Sequence, residues 1–244
     1  MTESSLAGMR AVVTGPTGDI GRALCRELAT AGASLHLFGR NTDTLQQLAG
    51  SLLHLTDEVC VYTVDLTDEQ SIGNAIAKLN KDASQVDILI HGAGIYKMGA
   101  QESAPVSDLD LQYQANVRGP YLVTQYLMPL IRGSRGQIVF VNSTAGLEAK
   151  KNVGQFAATQ HAQRAMADSL RNEVNPDGVR VVSLYLGRTA TTRQEHIFKL
   201  EGRPYSPELL IQPQDVAAMM LATLRLPRTA EVTEIRMRPL AKTY

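Results

Sequence analysis

The chain has 244 residues, the length of one domain or two small ones, and no repeat or low-complexity segment divides it. Its 24 Lys and Arg residues balance 24 Asp and Glu residues, and the formal net charge of +0 argues against binding nucleic acid or an anionic membrane. With 44% hydrophobic residues and no apolar run of about 18 residues, the composition favours a soluble globular domain without a membrane span.

Short β-branched segments alternate with amphipathic segments of helical length along the chain. Ile20, Leu24 and Leu28 recur every four residues and mark the first helix, and longer helices are predicted at 106–131 and 153–174. The predicted strands are 11–14, 34–38, 59–64, 86–90, 137–141, 179–185 and 232–237. This alternation predicts one α/β domain over residues 1–244, a doubly wound parallel sheet of about seven strands.

One long stretch, 188–213, has no clear periodicity and contains Pro204 and Pro207, which predicts an irregular substrate lid. The two cysteines, Cys25 and Cys60, belong to no metal-binding motif. We therefore expect no metal site and no disulfide framework, and we expect a cytoplasmic protein because the N-terminus lacks a secretory pattern.

A glycine-rich segment, Thr14-Gly15-Pro16-Thr17-Gly18-Asp19-Ile20-Gly21, lies between the first predicted strand and the first helix. In such a turn, glycines allow the backbone to approach a pyrophosphate, whose charge is met by free N–H groups at the helix N-terminus. The strand–turn–helix context predicts a dinucleotide site and a Rossmann fold.

This turn and the motifs that follow it resemble the short-chain dehydrogenase/reductase family over nearly the whole chain. The resemblance implies that Asn116 and Ser143 are retained catalytic groups. It also implies cofactor contacts in the glycine-rich turn, after the third strand, in the sequence His91-Gly92-Ala93-Gly94, and in a loop that clasps the nicotinamide. Those positions are Gly15, Asp19, Ile20, Gly21, Asp65, Leu66, Gly92, Ala93, Gly94, Gly187, Thr189 and Thr191.

The residue after the second strand predicts the cofactor. An acidic residue there would bind the ribose 2′-hydroxyl of NAD, whereas an Arg accommodates the 2′-phosphate of NADP. Arg40 holds this place, and no carboxylate follows before Asp43. If the site binds a dinucleotide, we expect NADP to be preferred over NAD.

The chain departs from the family at the two positions that carry its proton chemistry. Thirteen residues after Ser143, where the family has a catalytic Tyr, stands Phe156, and the family's Lys is replaced by Gln160. Phenylalanine has no ionisable group, and glutamine has no charge to depress a neighbour's pKa. We therefore expect the family's redox reaction to be slow or absent.

Two further departures lie in the cofactor loops. Asp19 replaces the family's second glycine, and Leu186 replaces a proline. Asp19 either takes up the N–H groups that a pyrophosphate would use and weakens or abolishes cofactor binding, or turns to solvent. For Leu186 alone, the favoured interpretation is a neutral substitution that does not affect the site.

Several other polar side chains are candidates for a substitute proton donor or a ligand contact. His161 follows Gln160 on the predicted helix, where it should point about 100° away. Tyr96 and Tyr185 could line the site or be core or rim aromatics, and Tyr205, Glu195 and His196 in the predicted lid could reach a ligand or only gate the site. Glu148, Lys150 and Lys151 follow Ser143 and are expected at the pocket mouth or in solvent.

Three functions remain open. The protein is a non-redox or small-molecule-binding descendant of an NADP-dependent reductase, a working NADP-dependent oxidoreductase with a substitute proton donor, or a non-catalytic partner of an active homologue. Loss of the Tyr and Lys favours the first and third, and the retained pocket residues favour the first and second. The resemblance also implies a homodimer or homotetramer.

Overall fold

The computed structural model describes residues 6–241 and contains, within them, one parallel sheet of seven strands. The strands lie in the order β3-β2-β1-β4-β5-β6-β7, so the direction of strand succession reverses between β1 and β4. Their bounds are β1 Arg10–Thr14, β2 Ser34–Gly39, β3 Val59–Thr63, β4 Ile88–His91, β5 Gln137–Ser143, β6 Arg180–Leu186 and β7 Glu234–Met237. In such a sheet, ligands bind beyond the carboxyl ends of the strands, at the point of reversal.

Eight α-helices are present in the described part of the chain and cover both faces of the sheet. One hydrophobic cluster joins the sheet to α1, α2 and α8, and a second joins it to α3, α5 and α6. Successive residues of β1 alternate between the clusters, with Val13 in the first and Val12 in the second. The helices are α1 Asp19–Thr30, α2 Thr42–Leu52, α3 Glu69–Asp82, α4 Val106–Tyr113, α5 Gly119–Ser134, α6 Gly154–Val174, α7 Thr192–Leu200 and α8 Pro213–Leu224.

The seven predicted strands are all present, with ends that differ by at most two residues from the prediction. The doubly wound parallel Rossmann fold is therefore confirmed. Two details of the prediction were wrong. The helix predicted at 106–131 is broken into α4 and α5 by a π-helical segment at Gln114–Arg118, and the predicted irregular stretch 188–213 contains α7.

In residues 6–241, no helix is both long enough and apolar enough to cross a membrane. The same residues contain no group of three or more His, Cys, Asp or Glu side chains placed to hold a metal ion.

Candidate functional site

A cleft of about 730 Å³ opens beyond the carboxyl ends of β1, β4, β5 and β6. The turn between β1 and α1 and the loop after β4 line one side, and the segment after β5 and one face of α6 line the opposite side. The loop after β6 and helix α7 supply the remaining wall. The cleft therefore lies where the strand order reverses, as a nucleotide site in this fold does.

The glycine-rich turn packs so closely against neighbouring backbone that a side chain would not fit at two of its glycines. Gly15 has φ +67°, and a Cβ there would lie 2.7 Å from the Cα of Ala93. A Cβ at Gly21 would lie 2.2 Å from the carbonyl oxygen of Gly15. These approaches bring the turn, the start of α1 and the loop after β4 together, and they leave a cradle of backbone at the floor of the cleft.

Thr14, at the end of β1, ties the glycine-rich turn to the loop after β4. Its hydroxyl accepts hydrogen bonds from the backbone N–H groups of Gly92 and Ala93, at 3.1 and 3.2 Å. His91 precedes this loop, and its Nε2 lies 2.8 Å from the Thr124 hydroxyl oxygen. Burial lowers the pKa of His91 to about 3, so its ring stays neutral at ordinary pH.

Asp19 is the first residue of α1, and its side chain does not cap that helix. The N-cap of α1 is Gly18, which has no side chain to accept a hydrogen bond. The Asp19 Oδ2 atom instead accepts a hydrogen bond from the backbone N–H of Thr192, the first residue of α7, at 2.9 Å. The carboxylate thus bridges two helix N-termini, an arrangement that neither sequence interpretation described.

Asn116 lies in the π-helical segment between α4 and α5, and its amide is fully engaged. Its Oδ1 accepts from the N–H of Ile95 at 2.7 Å, while its Nδ2 donates to the carbonyl of Ile95 and to the hydroxyl of Thr159. A π-helical turn inserts an extra residue and re-aims the side chains that follow, and such turns are frequent at functional sites. Here it links the loop after β4 to α6.

Ser143, Phe156 and Gln160 all line the cleft, but they form no proton-transfer chain. The Ser143 Oγ accepts from the N–H of Ala145 at 3.1 Å, and its own O–H remains able to donate into the cleft. The Phe156 ring meets the ring of Tyr96 edge-on, with centroids 4.9 Å apart. Gln160 is buried, and its Nε2 lies 3.4 Å from the hydroxyl oxygen of Thr159.

The loop after β6 is fixed to its surroundings before α7 begins. The N–H of Gly187 donates to the carbonyl of Met237 at 2.8 Å, and Thr189 forms an isolated parallel bridge with Ile211. Thr191 caps α7, because its hydroxyl oxygen accepts from the N–H of Gln194 at 3.1 Å. Leu186 is buried at the end of β6, and the strand is regular up to that residue.

The candidates for binding the adenosine end of a nucleotide lie at the ends of β2 and β3. Arg40 directly follows β2 and is exposed. Asp65 follows β3, and its Oδ1 accepts two hydrogen bonds from Thr67, which fixes the carboxylate. The carbonyl of Leu66 lies 2.6 Å from where a Cβ on Gly119 would be, so the loop after β3 packs directly on the start of α5.

The sequence model of the short chain dehydrogenase family matches residues 9–201, which include every strand of the sheet except β7. The chain belongs to this family. Among curated proteins, it is 28% identical over 234 residues to an uncharacterised short-chain type dehydrogenase/reductase of Sinorhizobium fredii, covering 94% of this chain and 90% of the relative. It is also 29% identical over 232 residues to an uncharacterised oxidoreductase of Staphylococcus aureus, covering 94% of this chain and 96% of the relative.

Solved structures of short-chain dehydrogenases share the fold. An alcohol dehydrogenase from the archaeon Thermococcus sibiricus, complexed with 5-hydroxy-NADP, superposes with a TM-score of 0.86 at 24% identity, covering 97% of this chain and 98% of that one. A putative short-chain dehydrogenase from Escherichia coli, complexed with NADPH, superposes with a TM-score of 0.88 at 24% identity, covering 97% and 99%.

Of the candidate substitutes for the short-chain dehydrogenase Tyr, only Tyr96 lies beside Phe156 in the cleft. Burial raises the pKa of the Tyr96 hydroxyl, Glu201 adds to the rise, and the Arg188 guanidinium opposes it. The Tyr205 hydroxyl donates to the carbonyl of Thr191, just before α7, at 3.4 Å. Glu148, Lys150 and Lys151 are exposed at the cleft, whereas Tyr185, Glu195, His196 and His161 do not line it.

The sequence analysis missed several residues of this short-chain dehydrogenase cleft, among them Thr192, Arg193 and Gln163. Thr192 and Arg193 start α7, and the Arg193 Nη2 donates to the carbonyl of Gly94 at 2.6 Å. Gln163 is buried in the cleft wall, where its Nε2 donates to the carbonyl of Asn116 and its Oε1 has no hydrogen-bond partner within the structure. No local motif marks these side chains, because their partners lie far away in the sequence.

Proposed function

We propose that this protein is a non-redox, small-molecule-binding descendant of an NADP-dependent carbonyl reductase or alcohol dehydrogenase. The observation that carries the proposal is that Phe156 and Gln160 line the cleft. The resemblance to the family assigns these two positions to its Tyr and Lys. Neither Phe156 nor Gln160 is ionisable. The Phe156 ring contacts the Tyr96 ring, and Gln160 makes a weak hydrogen bond to the buried Thr159 hydroxyl.

The missing groups matter because reduction of a carbonyl places negative charge on its oxygen, and a proton must arrive there. A positioned acid or base typically contributes about 10² to 10⁴-fold to such a reaction. Ser143 can still donate a hydrogen bond to a ligand oxygen, whereas the Asn116 amide is already hydrogen-bonded to Ile95 and Thr159. The site therefore orients and binds a polar group without protonating it.

The residues at the cleft fit an NADP-type cofactor in part. The backbone cradle around Gly15 and Gly92 and the exposed Arg40 after β2 support binding of a nucleotide with a 2′-phosphate. The neighbours solved with 5-hydroxy-NADP and NADPH support the same class. Asp19 opposes it by placing a carboxylate at the turn that would receive the diphosphate. A bound NADPH would supply hydride, and we propose that this chain binds it weakly or has lost it.

The proposal is tested by titrating nucleotide-free protein with NADPH and NADH in a calorimeter, followed by an assay of NADPH consumption with a panel of aldehydes, ketones and quinones. We expect NADPH to bind more tightly than NADH, if either binds, and NADPH consumption no faster than without protein. Steady NADPH consumption by the unaltered protein would contradict the proposal.

A second candidate, a working oxidoreductase, is favoured by one observation. The Tyr96 hydroxyl belongs to the ring that contacts Phe156, so a phenol remains in the cleft close to the family's Tyr position. The phenol is protonated at neutral pH and can donate a proton, although burial, which raises its pKa, makes it a weaker acid than a free tyrosine. In this case NADPH consumption would be measurable and would depend on Tyr96.

We also propose a homodimer or homotetramer in a reducing cytoplasm. Large apolar side chains are exposed on α4 and α5, among them Val106 at 70%, Tyr113 at 52% and Tyr121 at 54%. Exposed side chains of this size on adjacent helices support a protein–protein contact. With only two cysteines in 244 residues, the sequence has no disulfide framework, which supports a reducing compartment. Sedimentation analysis would measure the assembly state.

A further inference from the structure

Two hydrogen bonds connect α7 to the start of α1 and to the loop after β4, which line one side of the cleft. The Asp19 carboxylate accepts from the N–H of Thr192, 173 residues away in the chain, and the Arg193 guanidinium donates to the carbonyl of Gly94, 99 residues away. Both contacts join the first turn of α7 to loops that the sequence assigns to the cofactor. We call the four residues Asp19, Gly94, Thr192 and Arg193 the clasp.

The Asp19 carboxylate stands in an environment that suits an anion. It is in the first turn of α1 and bonds the first residue of α7, so two helix N-termini contribute partial positive charge around it. Thr191 already caps the N–H of Gln194 with its own hydroxyl. The N–H of Thr192, a residue that lines the cleft, is not used by this cap and donates to Asp19.

The Arg193 guanidinium completes the anion site without forming an ion pair within 4 Å among the described residues. One of its N–H groups donates to the carbonyl of Gly94, a neutral acceptor. Burial lowers the pKa of the Arg193 guanidinium, and the nearby Asp19 carboxylate opposes that shift. A guanidinium has five N–H donors and binds phosphate in a forked geometry. A diphosphate in the cleft is a better partner for this group than a single carbonyl.

We propose that Asp19 and Arg193 are specificity-determining residues that close α7 over the cleft and set its affinity for a dinucleotide. The Asp19 carboxylate competes with the diphosphate for the N–H of Thr192, and a bound diphosphate draws Arg193 away from Gly94. A nucleotide without a diphosphate bridge meets no such competition. This inference rests on the proposed function in one respect, because it assumes that the cleft has kept a nucleotide site.

The decisive experiment measures the affinity of the full chain and its variants for NADPH and for adenosine 2′-monophosphate, which has the 2′-phosphate but no diphosphate. Asp19→Asn removes the charge and keeps an acceptor oxygen, while Asp19→Gly removes both. We expect NADPH affinity to rise at least tenfold in Asp19→Gly, with Asp19→Asn in between, and to fall several-fold in Arg193→Ala. Adenosine 2′-monophosphate affinity should change less than twofold in all three variants.

Glu195→Gln is the matched control, because it removes one negative charge from the exposed side of the same helix, outside the cleft lining. We expect it to leave both affinities within a factor of two. Hydrogen exchange of the ligand-free proteins gives an independent measure of the clasp. The amides of residues 192–200 should exchange faster in Asp19→Gly and in Arg193→Ala than in the unaltered protein.

The outcomes separate the clasp from the proposed function. If Asp19→Gly gains NADPH affinity and also consumes NADPH, the clasp stands and the non-redox proposal is wrong. If the unaltered protein binds NADPH and neither Asp19 variant gains affinity, the clasp is wrong and the proposed function is unaffected. If no variant binds NADPH or adenosine 2′-monophosphate, both the clasp and the nucleotide site are wrong.

Discussion

His91 gives the sharpest quantitative prediction, because its ring is sealed between β4 and α5 immediately before the loop that forms the cleft floor. Burial lowers its pKa from the ordinary 6.5 to about 3. Between these values the unfolded chain binds a proton that the folded chain does not, so stability decreases as the pH falls from about 6.5 towards about 3. We therefore expect acid to weaken the anchor of the Gly92–Gly94 loop.

The expected magnitude follows from the pKa difference. Each pH unit within this window is worth about 1.4 kcal/mol, so a change from pH 7 to pH 5 removes about 2 kcal/mol through His91 alone. The buried His36, whose pKa burial also lowers, contributes in the same direction. A replacement at His91 is therefore needed to measure how much of the pH dependence of stability comes from His91.

The assay is urea unfolding at pH 7 and pH 5, at one protein concentration, for the unaltered protein, His91→Asn and His161→Asn. Asparagine can still bond the Thr124 hydroxyl and does not titrate in this range. We expect His91→Asn to lose about 2 kcal/mol less than the unaltered protein between the two pH values. His161→Asn, on the exposed face of α6, is the matched histidine replacement against which His91→Asn is compared. Equal pH dependence in His91→Asn and the unaltered protein would refute the reasoning.

Three further predictions concern the cleft. Arg40→Ala should weaken NADPH binding about tenfold and leave NADH binding unchanged, as measured by calorimetry, because one charge contact to a 2′-phosphate is lost; equal losses for both nucleotides would count against this role. Gly21→Ala should cost about 2–4 kcal/mol in urea unfolding, because its Cβ would lie 2.2 Å from the Gly15 carbonyl, whereas Gly73→Ala, in open space on α3, should be neutral or stabilising; equal effects would refute the clash. Tyr96→Phe should leave NADPH consumption at the background of the unaltered protein, and a drop from a measurable rate would favour the working oxidoreductase.

Local sequence patterns were enough to predict the sheet and the location of the cleft. The β-branched strands and the four-residue apolar spacing of α1 reflect burial on two faces of the sheet, which is a local requirement. The glycine-rich turn was recognisable because Gly15 and Gly21 meet backbone atoms that exclude a side chain. These features depend on the residues themselves and on their immediate neighbours.

The features that were not predicted depend on contacts between distant segments. The π-helical turn at Asn116 follows from packing among the loop after β4, α5 and α6, and no residue type marks it. Helix α7 was not predicted because it has few apolar residues and because prolines follow it closely in the sequence. The sequence around Asp19 predicts a carboxylate at the N-terminus of α1. It does not indicate that this carboxylate bonds to the N-terminus of α7, because its partner Thr192 lies 173 residues away.

The most direct test of the central claim restores the two side chains that the cleft lacks. Phe156→Tyr and Gln160→Lys, singly and together, are assayed for NADPH consumption with the same carbonyl panel at saturating nucleotide. We predict that the double variant gains at least about 100-fold in kcat/KM over the unaltered protein, and that each single variant gains much less. An unaltered protein that already turns over at the rate of the double variant would contradict the claim. A folded double variant that binds NADPH and stays inactive would contradict it equally.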